Sequence, residues 1–139
     1  MDCFEHFIRD GNEIYVGNHL IVDLWGIVLH RNGDQIKKMF IESCEDAGAT
    51  VLFSHFHLFG EDCGTTGVIV LAESHLSWHH YPETNMLCLD IFMCGTADPR
   101  KALPKILDYW QPTHIDMKVH KRGVVEDNKI SNQLTRSIV

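Results

Sequence analysis

Residues 71–83 read LAESHLSWHHYPE, which sets a carboxylate, Glu73, directly before Ser74 and then places His75, His79 and His80 ahead of Pro82 and Glu83. A hydroxyl beside imidazoles can be a nucleophile with its base, the imidazoles can be metal ligands, or the chain can act on itself. For a metal, His55 and His57 lie two apart on a predicted strand and share a face, with His75, His79 or His80 as further ligands. That spacing is only permissive: no HExxH or Cys/His finger is present, and no metal is expected. A conventional serine hydrolase fits no better, because Ser74 is not in a G-x-S-x-G elbow and Glu73 is bonded to it rather than placed behind a histidine.

The elements that must hold these residues follow from periodicity. GNHLIVDLWG, residues 17–26, is bounded by glycines and suits a strand buried on at least one face. Asp34 is expected to cap a helix whose apolar stripe is Ile36, Met39, Phe40, Cys44 and Ala47, stopped by Gly48. Thr50 to His57 and Gly67 to Glu73 are rich in β-branched and aromatic residues, and GEDCGTTG between them reads as a hairpin loop. Ser74 to His80 and Met86 to Cys94 read as two more strands. Asp98 and Pro99 then open a second helix with Leu103, Ile106, Leu107 and Trp110 on its apolar stripe. Pro104 removes a donor from its second turn, so the helix must kink or begin irregularly. His114 to His120 closes the order as a strand. The expected class is α+β, a two-layer sandwich with helices on one face of a largely antiparallel sheet and a strand–helix–strands pattern used twice. Residues 1–16 read as an N-terminal extension, 17–123 as one domain, and 124–139 as a flexible tail.

Bulk properties narrow the function. With 139 residues, 45% hydrophobic and 22% charged, the chain fits one globular domain. A formal charge of −7, with basic residues clustered only from Lys118 to Arg122, argues against nucleic acid as a partner. No apolar run approaches the length of a membrane span. Five cysteines without a CxxC pair, and no basic-then-apolar start, predict a cytoplasmic protein with free thiols.

Several boxes in order carry a resemblance. LAESHLSWHHYPE, followed by DIFMCG at 90–95, resembles the prokaryotic S-adenosylmethionine decarboxylases, whose boxes are commonly ESH-x-S/T-x-HTWPE and D-x-FTCG. GNHLIVDLWG, AGATVLFSHFHLF and TGVIVLAES resemble the family's opening strand, second strand and approach to its cleavage site, so the likeness runs over roughly residues 17–123. It implies a proenzyme in which Ser74 attacks the Glu73 carbonyl, the backbone cleaves, and residue 74 becomes an N-terminal pyruvoyl group. This cofactor condenses with the substrate α-amine through a Schiff base and draws off electrons as CO₂ leaves. By position, His79 matches the histidine of processing, Thr66 a serine that assists through its hydroxyl, and Cys94 the cysteine that donates a proton to the decarboxylated carbon. Phe59, Tyr81 and Glu83 match positions near the nucleoside, and the family pairs two such chains, which implies a homodimer of cleaved protomers.

Departures bear on the substrate. His80-Tyr81 stands for the usual Thr-Trp, Met93 for a threonine, bulkier residues run from Thr84 to Cys88, and the loop before Thr66 is one residue longer. Strict alternation also sets Ser74 on the face of His80 rather than His79, so either the junction is irregular or His80 shares the role. The expected substrate is S-adenosylmethionine, for spermidine synthesis. The alternatives are L-arginine or L-ornithine, with Glu61 and Asp62 receiving the distal cation, or, in another class, a silent regulatory partner or metal-binding module.

Overall fold

The structure, a computed structural model, describes residues 6–60 and 63–126. Its strands and helices follow in chain order: β1 (Ile8–Asp10), β2 (Glu13–Tyr15), β3 (Gly17–Trp25), α1 (Gly33–Asp46), β4 (Val51–Leu58), β5 (Thr65–Leu71), β6 (Ser74–Tyr81), β7 (Met86–Cys94), α2 (Leu103–Trp110), β8 (His114–Arg122) and β9 (Val125–Glu126). A six-stranded antiparallel sheet runs β4-β5-β6-β7-β3-β8, and β1, β2 and β9 form a small second sheet.

Alternation along the central strands sorts the side chains. Leu20, Val22 and Leu24 of β3, Ile69 and Leu71 of β5, Leu76 and Trp78 of β6, and Leu87, Leu89, Ile91 and Met93 of β7 are all buried on one face. Against them pack Ile36, Met39, Phe40 and Cys44 of α1 and Ile106 and Trp110 of α2, so the α+β two-layer architecture expected from periodicity is present. Each large aliphatic or Phe side chain taken out of water contributes about 1.5–3 kcal/mol. Trp78 anchors the stack: its ring lies 4.6 Å from that of Phe40, and its Nε1–H donates to Thr65 Oγ1 at 3.0 Å in the core. Gly67, paired with Trp78 across β5 and β6, gives the indole its room, because a Cβ there would fall 2.2 Å from the ring.

Among the described residues, no helix covers the other face. Ile21, Phe53 and Val70 are exposed there at 43%, 60% and 38%. It also carries the alternate residues His75, Ser77, His79 and Tyr81 of β6 and Cys88, Asp90, Phe92 and Cys94 of β7. Every position left over by the core alternation thus becomes a candidate for chemistry.

The helix starts differ from expectation in detail. Asn32, not Asp34, caps α1, its side chain accepting from the Gln35 N–H at 3.1 Å. The first turn before α2 is 3₁₀, Pro99–Ala102, with the Asp98 side chain accepting from the Arg100 N–H at 3.1 Å. Pro104 then falls in the first turn of α2, where its missing N–H has no partner to lose. Strands β1 and β2 lie within the stretch read as an extension; three-residue strands containing charged residues leave no period to detect. Residues 127–139 of the expected tail, and Glu61 and Asp62, lie outside the described residues. Among the described residues, no helix is long and apolar enough to cross a membrane.

Candidate active site

Strands β5 and β6 meet in a two-residue turn, Ala72–Glu73, with Leu71 paired to Ser74. The turn is tied down on both sides: the Ala72 N–H donates to Thr50 O at 2.9 Å, and the Thr50 N–H donates to Glu73 Oε1 at 2.7 Å. The Glu73 carbonyl accepts from the Cys94 N–H at 2.8 Å. That contact polarises the carbonyl carbon and would stabilise negative charge on its oxygen. Ser74 follows with φ of 140°, a backbone region nearly reserved for glycine and costing on the order of 1–3 kcal/mol. The backbone is thus irregular at the junction itself, while the register still pairs Ser74 with the core residue Met93. His80 lies on the opposite, helix-covered face, only 4% exposed, its ring 5.0 Å from Trp110. Burial is the main cause that holds its imidazole below the usual histidine range, with His30 adding to it and Glu83 opposing.

His79 and Thr66 sit together on the uncovered face, paired across β6 and β5 with Thr66 Oγ1 2.5 Å from His79 Nδ1. With Phe59, Tyr81 and Glu83 they line a cavity of about 350 Å³. Thus five of the residues singled out in the sequence converge at one end of β6, while Glu73, Ser74 and Cys94 converge at the other. Five residues of extended chain separate Ser74 from His79, about 17 Å at ~3.3 Å per residue. Within one chain the two groups do not meet.

Between them runs a network that sequence reading did not find. Arg122 donates from its guanidinium to His19 Nδ1 at 2.7 Å, which leaves His19 Nε2 as the protonated nitrogen, donating to Asp90 Oδ2 at 2.8 Å. His75 Nε2 reaches the same oxygen at 3.4 Å, and Ser77 Oγ donates to Asp90 Oδ1. Burial would raise the Asp90 carboxyl, but the hydrogen bonds from Ser77, His19 and His75 outweigh it and keep the group below the usual carboxylate range. The ligand atoms of His19, His75 and Asp90 all lie within 4.8 Å of one another, as a metal would require. Arg122 argues against that use: a cation on His19 Nε2 would need Nδ1 to carry the proton, facing another donor. The signal was present in the sequence as polar residues at the outward positions of GNHLIVDLWG and DIFMCG. The contacts, however, span 71 and 103 residues.

Two cysteines are thiols held out of reaction. Burial pushes Cys44 up to about 12, and burial together with Asp23 pushes Cys88 up to about 11.

Fold and site together define a class: a two-layer α+β domain with a strained serine at a β-turn junction and cysteine and histidine groups on the face of its sheet away from the helices. The chain belongs to the S-adenosylmethionine decarboxylase family, whose model matches residues 18–123. A Hydrogenobaculum S-adenosylmethionine decarboxylase proenzyme is 41% identical over 120 residues, 82% of this chain and 87% of that one. The proenzyme of Methanococcus maripaludis is 36% identical over 118 residues, 83% of this chain and 96% of that one. The crystal structure of the adenosylmethionine decarboxylase from Aquifex aeolicus superposes with a TM-score of 0.73 at 33% identity, covering 81% of this chain and 95% of that one.

Proposed function

We propose that the chain is a proenzyme that cuts itself between Glu73 and Ser74 and then decarboxylates S-adenosylmethionine, using a pyruvoyl group made from Ser74. The product would serve spermidine synthesis. The observation that carries this reading is the junction: a strained serine following a carbonyl already held by the Cys94 N–H. Attack of Ser74 Oγ on that carbonyl exchanges the amide for an ester and relieves the backbone. Removal of the Ser74 α-proton then expels the Glu73 carboxylate, and uptake of water with loss of ammonia leaves the ketone. These same features fit the group, since they strain and polarise the one bond that must break to form it.

When formed, the pyruvoyl group supplies an electron sink for the bond to the departing carboxylate. The chain's own residues do the rest. Cys94 Sγ delivers a proton to the carbon that loses CO₂. Phe59 and Tyr81 offer flat faces to the purine and Glu83 accepts from ribose hydroxyls, all three lining one cavity. His79, with Thr66 against its ring, takes the α-proton during processing.

That last role requires a second copy. Two sheets packed through their uncovered faces lie about 10 Å apart. A two-fold axis near Ser77, midway along β6, brings the His79 of each copy over the Ser74 of the other. Exposed Ile21, Phe53 and Val70 favour this homodimer. Unpaired Cys44, Cys63, Cys88 and Cys94 support a cytoplasmic setting.

Mass under denaturing conditions tests the cut: fragments 1–73 and 74–139 are expected, with Ser74→Ala a single chain. CO₂ release from carboxyl-labelled S-adenosylmethionine tests the activity, and preference for labelled arginine or ornithine by kcat/KM would overturn the substrate. An uncut wild-type chain after long incubation overturns the whole reading.

A further inference from the structure

Decarboxylation at a ketone needs the substrate's α-amine as a free base, yet at neutral pH it arrives as an ammonium. Cys94 and His79 are already committed to other protons. On the uncovered face the residue next to Ser74 is His75, with its side chain 38% exposed. Its Nε2 points to Asp90 Oδ2, and its Nδ1 has no hydrogen-bond partner among the described residues. The direction of the network is fixed from its far end: Arg122 can only donate, so His19 must accept at Nδ1 and donate at Nε2, and Asp90 accepts. Asp90 cannot also give a proton, since its hydrogen bonds keep it ionised. His75 therefore donates from Nε2, and the lone pair of its imidazole stands at Nδ1. A carboxylate behind one imidazole nitrogen with the other left open is the arrangement of an oriented base.

We infer that His75 is a catalytic base for this enzyme, taking a proton from the substrate α-ammonium at Nδ1, with Asp90 as its positioning residue. The inference rests on the reading of the chain as a pyruvoyl-forming decarboxylase. In this step one N–H bond of the ammonium breaks, its electron pair stays on the amine, and Nδ1 gains the proton. The imidazolium so formed is matched by the Asp90 carboxylate. The titratable groups facing His75 are His19 from β3 and Asp90 from β7; from β5 it faces Val70.

His75→Gln keeps a donor toward Asp90 and removes the titratable nitrogen. We expect it to cut its chain normally. At pH 7 its kcat/KM should fall by about 100-fold or more, the range a positioned base contributes. The loss should shrink about tenfold per pH unit as solvent deprotonates the amine, while the wild type stays level. A cut His75→Gln protein within threefold of wild type throughout would overturn the proposal. So would failure of that variant to cut, since His75 would then belong to processing. Independently of turnover, ring-nitrogen NMR of the Ser74→Ala chain should show His75 protonated at Nε2 and bare at Nδ1, a preference lost in Ser74→Ala/Asp90→Asn. The opposite tautomer overturns the assignment. A wild-type chain that never cuts would instead fail the enzyme reading, leaving the tautomer result to stand on its own.

Discussion

In the proposed mechanism Cys94 serves the junction twice, once through its backbone and once through its side chain, and mutation separates the two uses. Its N–H holds the Glu73 carbonyl at 2.8 Å whatever the side chain is. Cys94→Ala should therefore still cut, yet lose most turnover because the carbon is left without its proton donor. Denaturing mass with CO₂ release distinguishes this from a processing defect, which would leave one uncut chain. His80 makes a different prediction. Its imidazole is held neutral by burial, with neither ring nitrogen hydrogen-bonded among the described residues. Its folded pKa lies below its unfolded value, so the unfolded state binds the extra proton first, and stability is lost as pH falls below about 6.5. Urea unfolding of the Ser74→Ala chain at pH 7.5 and 5.5 should show this loss, and His80→Leu should reduce it.

The hairpin β5–β6 is the element on which both the site and the core depend. Gly67 on β5 sits against the Trp78 ring on β6, so Gly67→Ala must push the indole into α1 or bend the strand. A cost of about 1–3 kcal/mol is expected from such overpacking, read as a lower urea midpoint with unchanged slope. Loss of the α1 cap by Asn32→Ala should cost about 1 kcal/mol in the same measurement. At this scale the sequence was most legible. The stretches that form β3, β6 and β7 read as strands from their apolar and β-branched runs, and the 3.6-residue stripe marks α1 and α2. The Asn32 cap was missed because Asp34, two residues on, satisfies the same preference. Periodicity assigns a face but not a distance, which is why His79 and Ser74 could be grouped in one motif although they lie at opposite ends of β6. It is equally blind to partners such as His19, Asp90 and Arg122, which only the β7-β3-β8 pairing makes neighbours.

Across the whole molecule, the separation of the two half-sites predicts complementation. His79→Gln alone should not cut. Mixed as folding chains with Ser74→Ala, which has the intact His79, it should, because in the proposed homodimer one of the two composite sites of the mixed pair is complete. Absence of cutting in a verified mixed dimer would place the whole site within one chain. The position of the cut in the sheet has a further consequence. The first fragment supplies β4, β5 and β3, and the second supplies β6, β7 and β8, so the ladders β5–β6, β7–β3 and β3–β8 each join one fragment to the other. Neither piece retains a contiguous sheet of its own. Before the cut, folding is an intramolecular search; after it, the same architecture is a complex of two interleaved polypeptides. Formation of the sheet itself, read at concentrations too low for two copies to pair, should accordingly be first order for Ser74→Ala and second order for the mature protein, which must bring two fragments together. Activation thus erases the covalent tether that made folding efficient, and each chain has one favourable opportunity to reach its native state.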